Sequence, residues 1–504
     1  MRSLKVHTMA GLRVVVLKPG KYGRDGDVER FRRGFMPNST IPYIASMTPR
    51  SIGTVPIDVH SVDEYVQTDL RYLDLLKEGS TPTLLALVGV QSHQFHRALD
   101  LAAFALQHGT AHCVIGGPHP MTCDTSMHQG RGVSFALSEA ETTWTTILRD
   151  AIDGKLQPAY GADARWQSEI QAPVLTPPSR ADLRRYFFPM LGIYPARGCP
   201  FTCNFCSVIK IAGRRIRSQS VDTTMATLRR AREGGVRMVM FTSDNFNKYP
   251  EATELLGAMI AGNIRIPFFV QCDTQIARQE SLIELLSRAG CFEMFVGVES
   301  FSRSTLLAAR KSQNHPQLYG DIVKLCRRYR INSHFSNIIG FPEDTSESIH
   351  DHLNTLIELD PDTASFYTLT PIPGTDQYDD FLQRGLISES NLDRFDGTCP
   401  TWRHPALRHD ELNRLLFNCY ERFYSAGHLL RTLGHSRFPL QEIGKHAFFR
   451  FEAHNQTHPM SGGVRRVRLD GVNDYAHLRR YRFGVDLAPL PRSLQLTSKD
   501  LQFA

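Results

Sequence analysis

The chain has 504 residues, 41% hydrophobic and 22% charged, with 58 Lys and Arg against 51 Asp and Glu for a formal net charge of +7. At roughly one domain per 100–200 residues this length predicts about three domains, in a globular chain able to bury a large core without disulfides or a structural metal. The late basic residues Arg465, Arg466, Arg468, Arg479, Arg480 and Arg482 lack interleaved aromatics and read as a solvated face, so no nucleic acid is expected.

The N-terminal stretch MRSLKVHTMAGLRVVVLKPG is broken by His7 and Arg13 and does not read as a signal peptide. No run approaches the roughly 18 apolar residues of a membrane-spanning helix. The expected compartment is the cytoplasm, where thiols stay reduced. Cys113, Cys123, Cys272, Cys291, Cys326, Cys399 and Cys419 are scattered, whereas Cys199, Cys203 and Cys206 are clustered.

In chain order, LRVVVLKPG, TLLALVGVQS and AHCVIGGPHP predict buried strands, and HRALDLAAFALQHG between the last two predicts a helix ending at Gly109. Strand, helix and strand at this spacing form a right-handed βαβ unit of a parallel sheet. A loop ending FALSEAETTW and the helix TTILRDAIDGK follow. Residues 156–188, rich in Pro, Gln, Ala and Ser, predict a linker. A second βα series then runs through MLGIYPAR, VRMVMFTSDN, PFFVQCDT, FEMFVGVES, NSHFSNIIGF and TASFYTLTPIPG, with helices such as DTTMATLRRAREGG and SLIELLSRAG between. Polar residues at the C-terminal ends of these six strands suit an open or partial (β/α) barrel, whose chemistry sits at that face. The expected divisions are 1–155, 156–188, 189–388 and 389–504, the last mainly helical and closing over the barrel mouth. The aromatic residues there, Trp402, Tyr420, Phe423 and Tyr424, with His404 and His409, have the spacing of a buried helix stripe.

The segment ARGCPFTCNFCSV gives C-x3-C-x2-C directly after the first barrel strand. Three thiolates on one loop suit three irons of a cubane cluster, leaving a fourth iron open, as catalysis at a metal requires. A structural zinc would want four ligands, usually in paired Cys or Cys/His groups, and the nearest extra candidates, His128 and Cys272, are far off in sequence.

With Phe205 directly before the last cysteine, this motif resembles that of the radical S-adenosylmethionine (SAM) superfamily. The resemblance implies a [4Fe–4S] cluster on Cys199, Cys203 and Cys206. Its open iron takes the amino and carboxylate groups of SAM, and one-electron reduction yields methionine and a 5′-deoxyadenosyl radical. It also implies an external reductant such as flavodoxin or ferredoxin. Thr242-Ser243-Asp244-Asn245 occupies the place of the family's segment for the SAM amine, usually Gly-Gly-Glu, and its oxygens suit an ammonium. Glu299 ends the fourth strand as a candidate for SAM or a ribose hydroxyl. Ile338, Gly340 and Glu343 resemble the adenine-contact segment, with Ser336 in place of its first Gly, and Thr370–Thr375 resembles the closing turn. Alone, each of these smaller motifs reads equally well as turn chemistry.

A βα domain ahead of such a barrel resembles the cobalamin-binding subgroup of the superfamily, over about residues 11–430. The implied architecture is a Rossmann-like (flavodoxin-like) domain, a partial (β/α)6 barrel and a helical C-terminal region. Its implied corrin loops hold Ser92, His93 and Gln94, then Gly116, Gly117 and His119, then Glu141. Paired glycines at a sheet's carboxyl crevice would let a large flat ligand approach the backbone. The D-x-H-x-x-G motif that supplies an axial histidine is missing: Pro19-Gly20-Lys21-Tyr22-Gly23 stands there. Asp58-Val59-His60, expected after the second strand, lacks the glycine, and His60 reads as structural or surface. His93, His96 and His119 suit a corrin, a substrate or turn capping equally.

The combination implies a cobalamin-dependent radical SAM methyltransferase acting on an unactivated carbon of a small-molecule or lipid-like substrate. The alternatives are a radical cyclisation, rearrangement or oxidation, with or without cobalamin, and a non-catalytic Fe–S protein of electron transfer or sensing.

Overall fold

The computed structural model describes residues 11–469, apart from 24–25, 78, 80, 111, 130–131, 164–165, 168, 437 and 461–462, together with 481–482 and 485–486. Arg479 and Arg480 of the basic run lie outside the described residues, as do residues 1–10. The chain divides into two compact units: one of residues up to 32 with 38–176 and from 465 onward, the other of 33–37 with 177–464.

The first unit is built on a seven-stranded sheet of β1 (Leu12–Lys18), β2 (Ser51–Ile52), β3 (Val55–Asp63), β4 (Thr83–Leu87), β5 (His112–Gly116), β6 (Val133–Ala136) and β7 (Ala159–Tyr160). Their spatial order is β2-β3-β1-β4-β5-β6-β7, parallel except for the short β2–β3 pair. Val14, Val15, Val16, Leu84, Leu85 and Leu87 are fully buried, as expected of strands covered on both faces by helices. The covering helices are α1 (Thr40–Met47), α2 (Phe95–Gln107) and α3 (Ala140–Ile152). Gly109, at φ +89°, follows α2 in the left-handed region that a helix exit favours. The order reverses at β1, so the topological switch point lies between the carboxyl ends of β1 and β4. This is the flavodoxin-like arrangement.

Two expectations change here. Asp58–His60 lies inside β3, not after a strand, and His60 Nε2 sits 2.8 Å from Asp58 Oδ2. Residues 156–176, expected to be linker, contain β7 and belong to the first unit.

The second unit carries six parallel strands, β8 (Leu191–Ile193), β9 (Val239–Phe241), β10 (Phe268–Cys272), β11 (Cys291–Glu299), β12 (Asn332–Ile339) and β13 (Thr363–Thr368), adjacent in sequence order. Between them run α4 (Val221–Glu233), α5 (Ala252–Ala261), α6 (Glu280–Ala289), α7 (Tyr319–Arg328) and α8 (Ser346–Leu359), and α9 (Asp376–Gln383) follows β13. This is a partial (β/α)6 barrel, with β13 at one open edge. A parallel edge strand leaves alternate N–H and C=O groups unpaired. Here α10 (His409–Phe423) and the residue after it supply the partners. The Tyr420 hydroxyl accepts from Phe366 N at 3.0 Å and donates to Phe366 O at 3.1 Å, and Tyr424 treats Ala364 likewise at 3.1 and 2.7 Å. The C-terminal aromatic stripe thus seals an edge of the barrel, whereas the expectation placed this region over the mouth. The segment before α10 reaches the strand ends, where Trp402 Nε1 donates to Leu369 O at 3.0 Å and His404 Nε2 lies 2.7 Å from Phe341 O. Two further helices, α11 (Ala426–Leu433) and α12 (Pro439–His454), complete the unit. Among the described residues no helix is long and apolar enough to cross a membrane.

Candidate functional site

The cysteine loop leaves β8 and is held by its own return. Ala196 and Arg197 pair antiparallel with Ser218 and Arg217, and Cys199 N donates to Gly213 O at 3.2 Å. Gly198 is required: its φ is +104°, and a Cβ there would lie 2.3 Å from Arg215 O. Cys206 N donates to Cys203 O at 3.2 Å, and Asn204 N to Ala309 O at 3.1 Å. All three sulfurs are free thiols, and Gln313 Nε2 donates to Cys203 Sγ at 3.5 Å. Burial pushes the Cys199 thiol up and that of Cys206 to about 12, partly offset by the Lys311 ammonium nearby. A metal bound here would have to displace the thiol protons, as ligation requires. Among the described residues no three His, Cys, Asp or Glu side chains converge on one mononuclear position. Three thiols on one loop, with an amide donor at one sulfur, fit a cluster that gives each thiolate its own iron.

Beside the loop stands a connected polar group. Lys311 Nζ lies 3.0 Å from Glu299 Oε1 and 5.7 Å from the centre of the Phe205 ring, and Ser336 Oγ donates to Glu299 Oε2 at 3.4 Å. Glu299 has φ +62°, rare for a residue with a side chain, at the point where the β11–β12 register shifts. Gly297 makes room for it, since a Cβ there would meet Glu299 Oε1 at 2.6 Å. The end of β11 is braced from behind by Asn314 Nδ2, which donates to Gly297 O at 2.8 Å and Val298 O at 2.9 Å.

The other barrel candidates separate. Ser243 is buried, and its hydroxyl oxygen has no hydrogen-bond partner, which fits a group awaiting a ligand. Asp244 Oδ2 accepts from Gly198 N at 2.7 Å and so ties the cysteine loop to the end of β9. Asn245 is occupied at both ends of its amide by Asp273, donating to Oδ2 at 2.7 Å and accepting from the backbone N at 3.0 Å. Ile338, Phe205 and Phe341 share one apolar cluster with Ala309 and Trp402, a wall suited to a flat ring. Glu343 is exposed. Its neighbour Asp344 instead holds the turn, accepting from Gly340 N at 2.8 Å and Phe341 N at 2.9 Å, and burial raises its carboxyl to about 6.

Lys311 and Gln313 were invisible to sequence reasoning. They follow Glu299 by 12 and 14 positions in the loop KSQN, which carries no local motif. The one available signal was a lysine shortly behind a strand that ends in a glutamate.

In the first unit the loops after β1, β4 and β5 meet at the switch point. Gln94 Oε1 accepts from Lys18 Nζ at 2.6 Å, and Gln94 Nε2 donates to Pro19 O at 2.8 Å. Lys18 also donates to Gly89 O. Burial lowers this ammonium to about 8 despite Asp63 nearby. Val90 N donates to Gly116 O at 3.0 Å, and His119 N to Val90 O at 2.9 Å. At Gly117, φ is +137° and a Cβ would sit 2.1 Å from Val90 N. That glycine therefore serves the crossing of two protein loops, a different reason from the approach of a flat ligand. His119 is fully buried, with Nδ1 3.1 Å from Ser92 Oγ and its ring 4.0 Å from that of Phe95. His96 lies buried within α2, His93 is half-buried, and Glu141 accepts from the Tyr43 hydroxyl.

Where an axial histidine would stand, the Gly20–Gly23 loop is fastened to a buried ion-pair network. Glu64 Oε2 accepts from Gly20 N at 2.9 Å. Arg97 grips both oxygens of that carboxylate at 2.6 and 3.0 Å, while Arg30, at 3.0 Å, and the Tyr72 hydroxyl bind Oε1.

Residues 193–356 match the family model described as the Radical SAM superfamily. A bacteriochlorophyllide d C-12(1)-methyltransferase of Chlorobaculum tepidum is 25% identical over 56% of this chain and 62% of its own length. The C-8(2)-methyltransferase for the same pigment, from the same organism, is 25% identical over 76% of this chain and 89% of its own. Among solved structures, the radical SAM methyltransferase TsrM from Kitasatospora setae, with cobalamin and a [4Fe–4S] cluster bound, superposes with a TM-score of 0.64. That match covers 89% of this chain and all of the other at 13% identity, so the likeness is one of fold. Residues 193–356 thus match the Radical SAM superfamily, and the chain as a whole is similar in fold to a radical SAM methyltransferase solved with cobalamin and a [4Fe–4S] cluster bound.

Proposed function

We propose that this protein holds a [4Fe–4S] cluster on Cys199, Cys203 and Cys206, cleaves SAM reductively, and methylates an unactivated carbon with cobalamin carried by the first unit. The observation that carries this reading is the meeting of three thiols on one loop with Phe205, Lys311, Glu299 and Ser336 at the carboxyl ends of the barrel strands. When bound, the cluster supplies the electron that releases a 5′-deoxyadenosyl radical from SAM, and cobalamin supplies the methyl carrier.

The chain's own residues bind and orient. Glu299, fixed by Lys311 and Ser336, accepts from a ribose hydroxyl or the SAM ammonium, and the uncommitted Ser243 hydroxyl offers a second acceptor. Phe205, Ile338 and Phe341 give the adenine an apolar wall. Asp344 holds the Gly340–Phe341 backbone in place, and the Lys311 ammonium offsets negative charge on the thiolates. Ser92, His93, Gln94, Gly116, Gly117, His119 and Glu141 frame the cobalamin side. A small-molecule substrate, a flavodoxin- or ferredoxin-type reductant and a cytoplasmic setting belong to the same reading. The methyltransferase relatives and the cobalamin-bound structural neighbour support it.

A second reading keeps the radical and drops the methyl group. Its support is that Gln94 and Gly117 are engaged in packing between loops of the first unit itself, which that unit needs whether or not it holds a corrin. Anaerobic incubation of the reconstituted protein with SAM, reductant and cobalamin separates the two. The first reading expects both 5′-deoxyadenosine and S-adenosylhomocysteine, together with a cobalamin absorbance that stays with the protein. The second expects 5′-deoxyadenosine alone.

A further inference from the structure

Inside the second unit, the lumen of the barrel does not end at the polar group around Glu299. Residues two apart on a strand face the same way, so His334 lies on the face of β12 that carries Ser336, about 7 Å further from the strand's carboxyl end. Glu293 and Phe295 precede Gly297 on β11 in the same alternation. Here the strands enclose a cavity of about 350 Å³, within the range of small-molecule sites. Most of its lining is aromatic or thioether: Met240 and Phe269 from β9 and β10, Phe292 and Phe295 from β11, Phe438 directly before α12 and Phe449 within it. Aromatic edges and faces favour ring-bearing ligands, and methionine adapts to their outline.

The polar groups of the cavity are arranged with equal economy. The lining ammonium, Lys445, is held by Glu442 Oε2 at 2.7 Å and Glu293 Oε2 at 3.8 Å. His334 Nδ1 lies 2.8 Å from Glu293 Oε1 and its Nε2 2.6 Å from Ser365 Oγ, and Tyr367 also lines the cavity. Asp396 accepts from the Thr398 hydroxyl at 2.6 Å. An anionic ligand group would have to break the Lys445 pairs and would face Glu293, Glu442 and Asp396, an unfavourable burial of like charge. A hydroxyl or carbonyl would meet the neutral donor and acceptor of the lining Tyr367 hydroxyl.

We propose that this lumen cavity is the substrate pocket, and that it takes a ring-bearing apolar body with a neutral hydrogen-bonding group, excluding an anionic one. The assignment of the ligand as substrate rests on the radical SAM reading, which places SAM one layer above; the binding chemistry does not.

Equilibrium dialysis of the cluster-loaded full chain against 2-naphthol and 2-naphthoate, which share a ring and differ in charge, is the test. Saturable binding of 2-naphthol, with 2-naphthoate at least tenfold weaker, is expected. Met240→Trp and Phe269→Trp, filling the cavity from two walls, should each weaken 2-naphthol at least tenfold, with the cluster absorbance and melting temperature reporting that the fold is kept. No saturable 2-naphthol binding, equal binding of both probes, or indifference to both substitutions overturns the proposal; the two-probe comparison needs no variant. Separately, 5′-deoxyadenosine from the unmodified protein without probe reports on the radical reading, so failure of either idea is seen independently of the other.

Discussion

The two sheets present their carboxyl ends very differently. In the first unit, the side chains at the switch point are bound to one another: Lys18 to Gln94, Ser92 to His119, and Glu64 to Arg97, Arg30 and Gly20 N. In the barrel, Lys311, Glu299 and Ser336 form a strained, linked group, while the Ser243 hydroxyl remains buried and unbonded. Parallel α/β sheets place ligand crevices at this end in both cases. The difference lies in how the ends are stabilised: the first by internal polar closure, the second by leaving acceptors for a ligand to satisfy.

Breaking the barrel end should have the largest effect. Cys203→Ala removes one of the three thiols proposed to hold the cluster, and the expected result is loss of the cluster absorbance with 5′-deoxyadenosine formation down at least a thousandfold, a barrier change of about 4 kcal/mol. A full cluster and retained turnover would contradict it.

Next in size is the closure of the first unit. Glu64→Gln strands Arg97 and Arg30 in a buried place, and loss of one partner of such a pair costs about 3–5 kcal/mol. Denaturant unfolding of the variant measures this. Although burial pushes the Glu64 carboxyl up, the two arginines outweigh it and hold it at about 2, below its ordinary 4.5. The folded state therefore binds fewer protons than the unfolded one. The stabilisation is present above pH 4.5 and is lost as the pH falls toward 2, by about 3 kcal/mol. The pH slope should become shallower in the Gln variant by the share that Glu64 contributes, since Glu293 and Asp362 are also held low; an unchanged slope would place the acid sensitivity elsewhere.

A smaller effect sharpens the contrast. Lys311→Met removes the cation that fixes Glu299 while leaving the cysteines intact, so SAM affinity should fall about ten- to a hundredfold, equivalent to about 1.4–2.8 kcal/mol. Cluster content should stay near that of the parent. Calorimetric titration of SAM into the two proteins checks this, and equal affinities would remove Glu299 from the binding group.

What was legible in the sequence was what is local along the chain. The C-x3-C-x2-C spacing and the apolar runs of the strands are contained within windows of about ten residues. Lys311, Gln313 and Asn314 act on partners 12 or more positions away, or across a loop, and carry no periodic pattern. A segment such as Ser243-Asp244-Asn245 signals polarity but not allocation: one residue is uncommitted, one ties a loop and one binds Asp273. Glu343 and Asp344 illustrate the same limit, since neighbouring carboxylates divide between solvent and a backbone turn. Gly117 was legible as a special backbone position, yet the loop that demands it comes from residues 89–90. The edge-sealing duty of Tyr420 and Tyr424 depends on β13 being last in the sheet, a fact of topology that no local window contains.

The central claim, that the three-thiol loop and the polar group beside it form one SAM site, is tested most directly by low-temperature electron paramagnetic resonance of the reduced, cluster-loaded protein with and without SAM. The account predicts a [4Fe–4S] signal that shifts on adding SAM, with 5′-deoxyadenosine appearing in the same sample. A full cluster whose signal SAM leaves unmoved, with no 5′-deoxyadenosine formed, would contradict it.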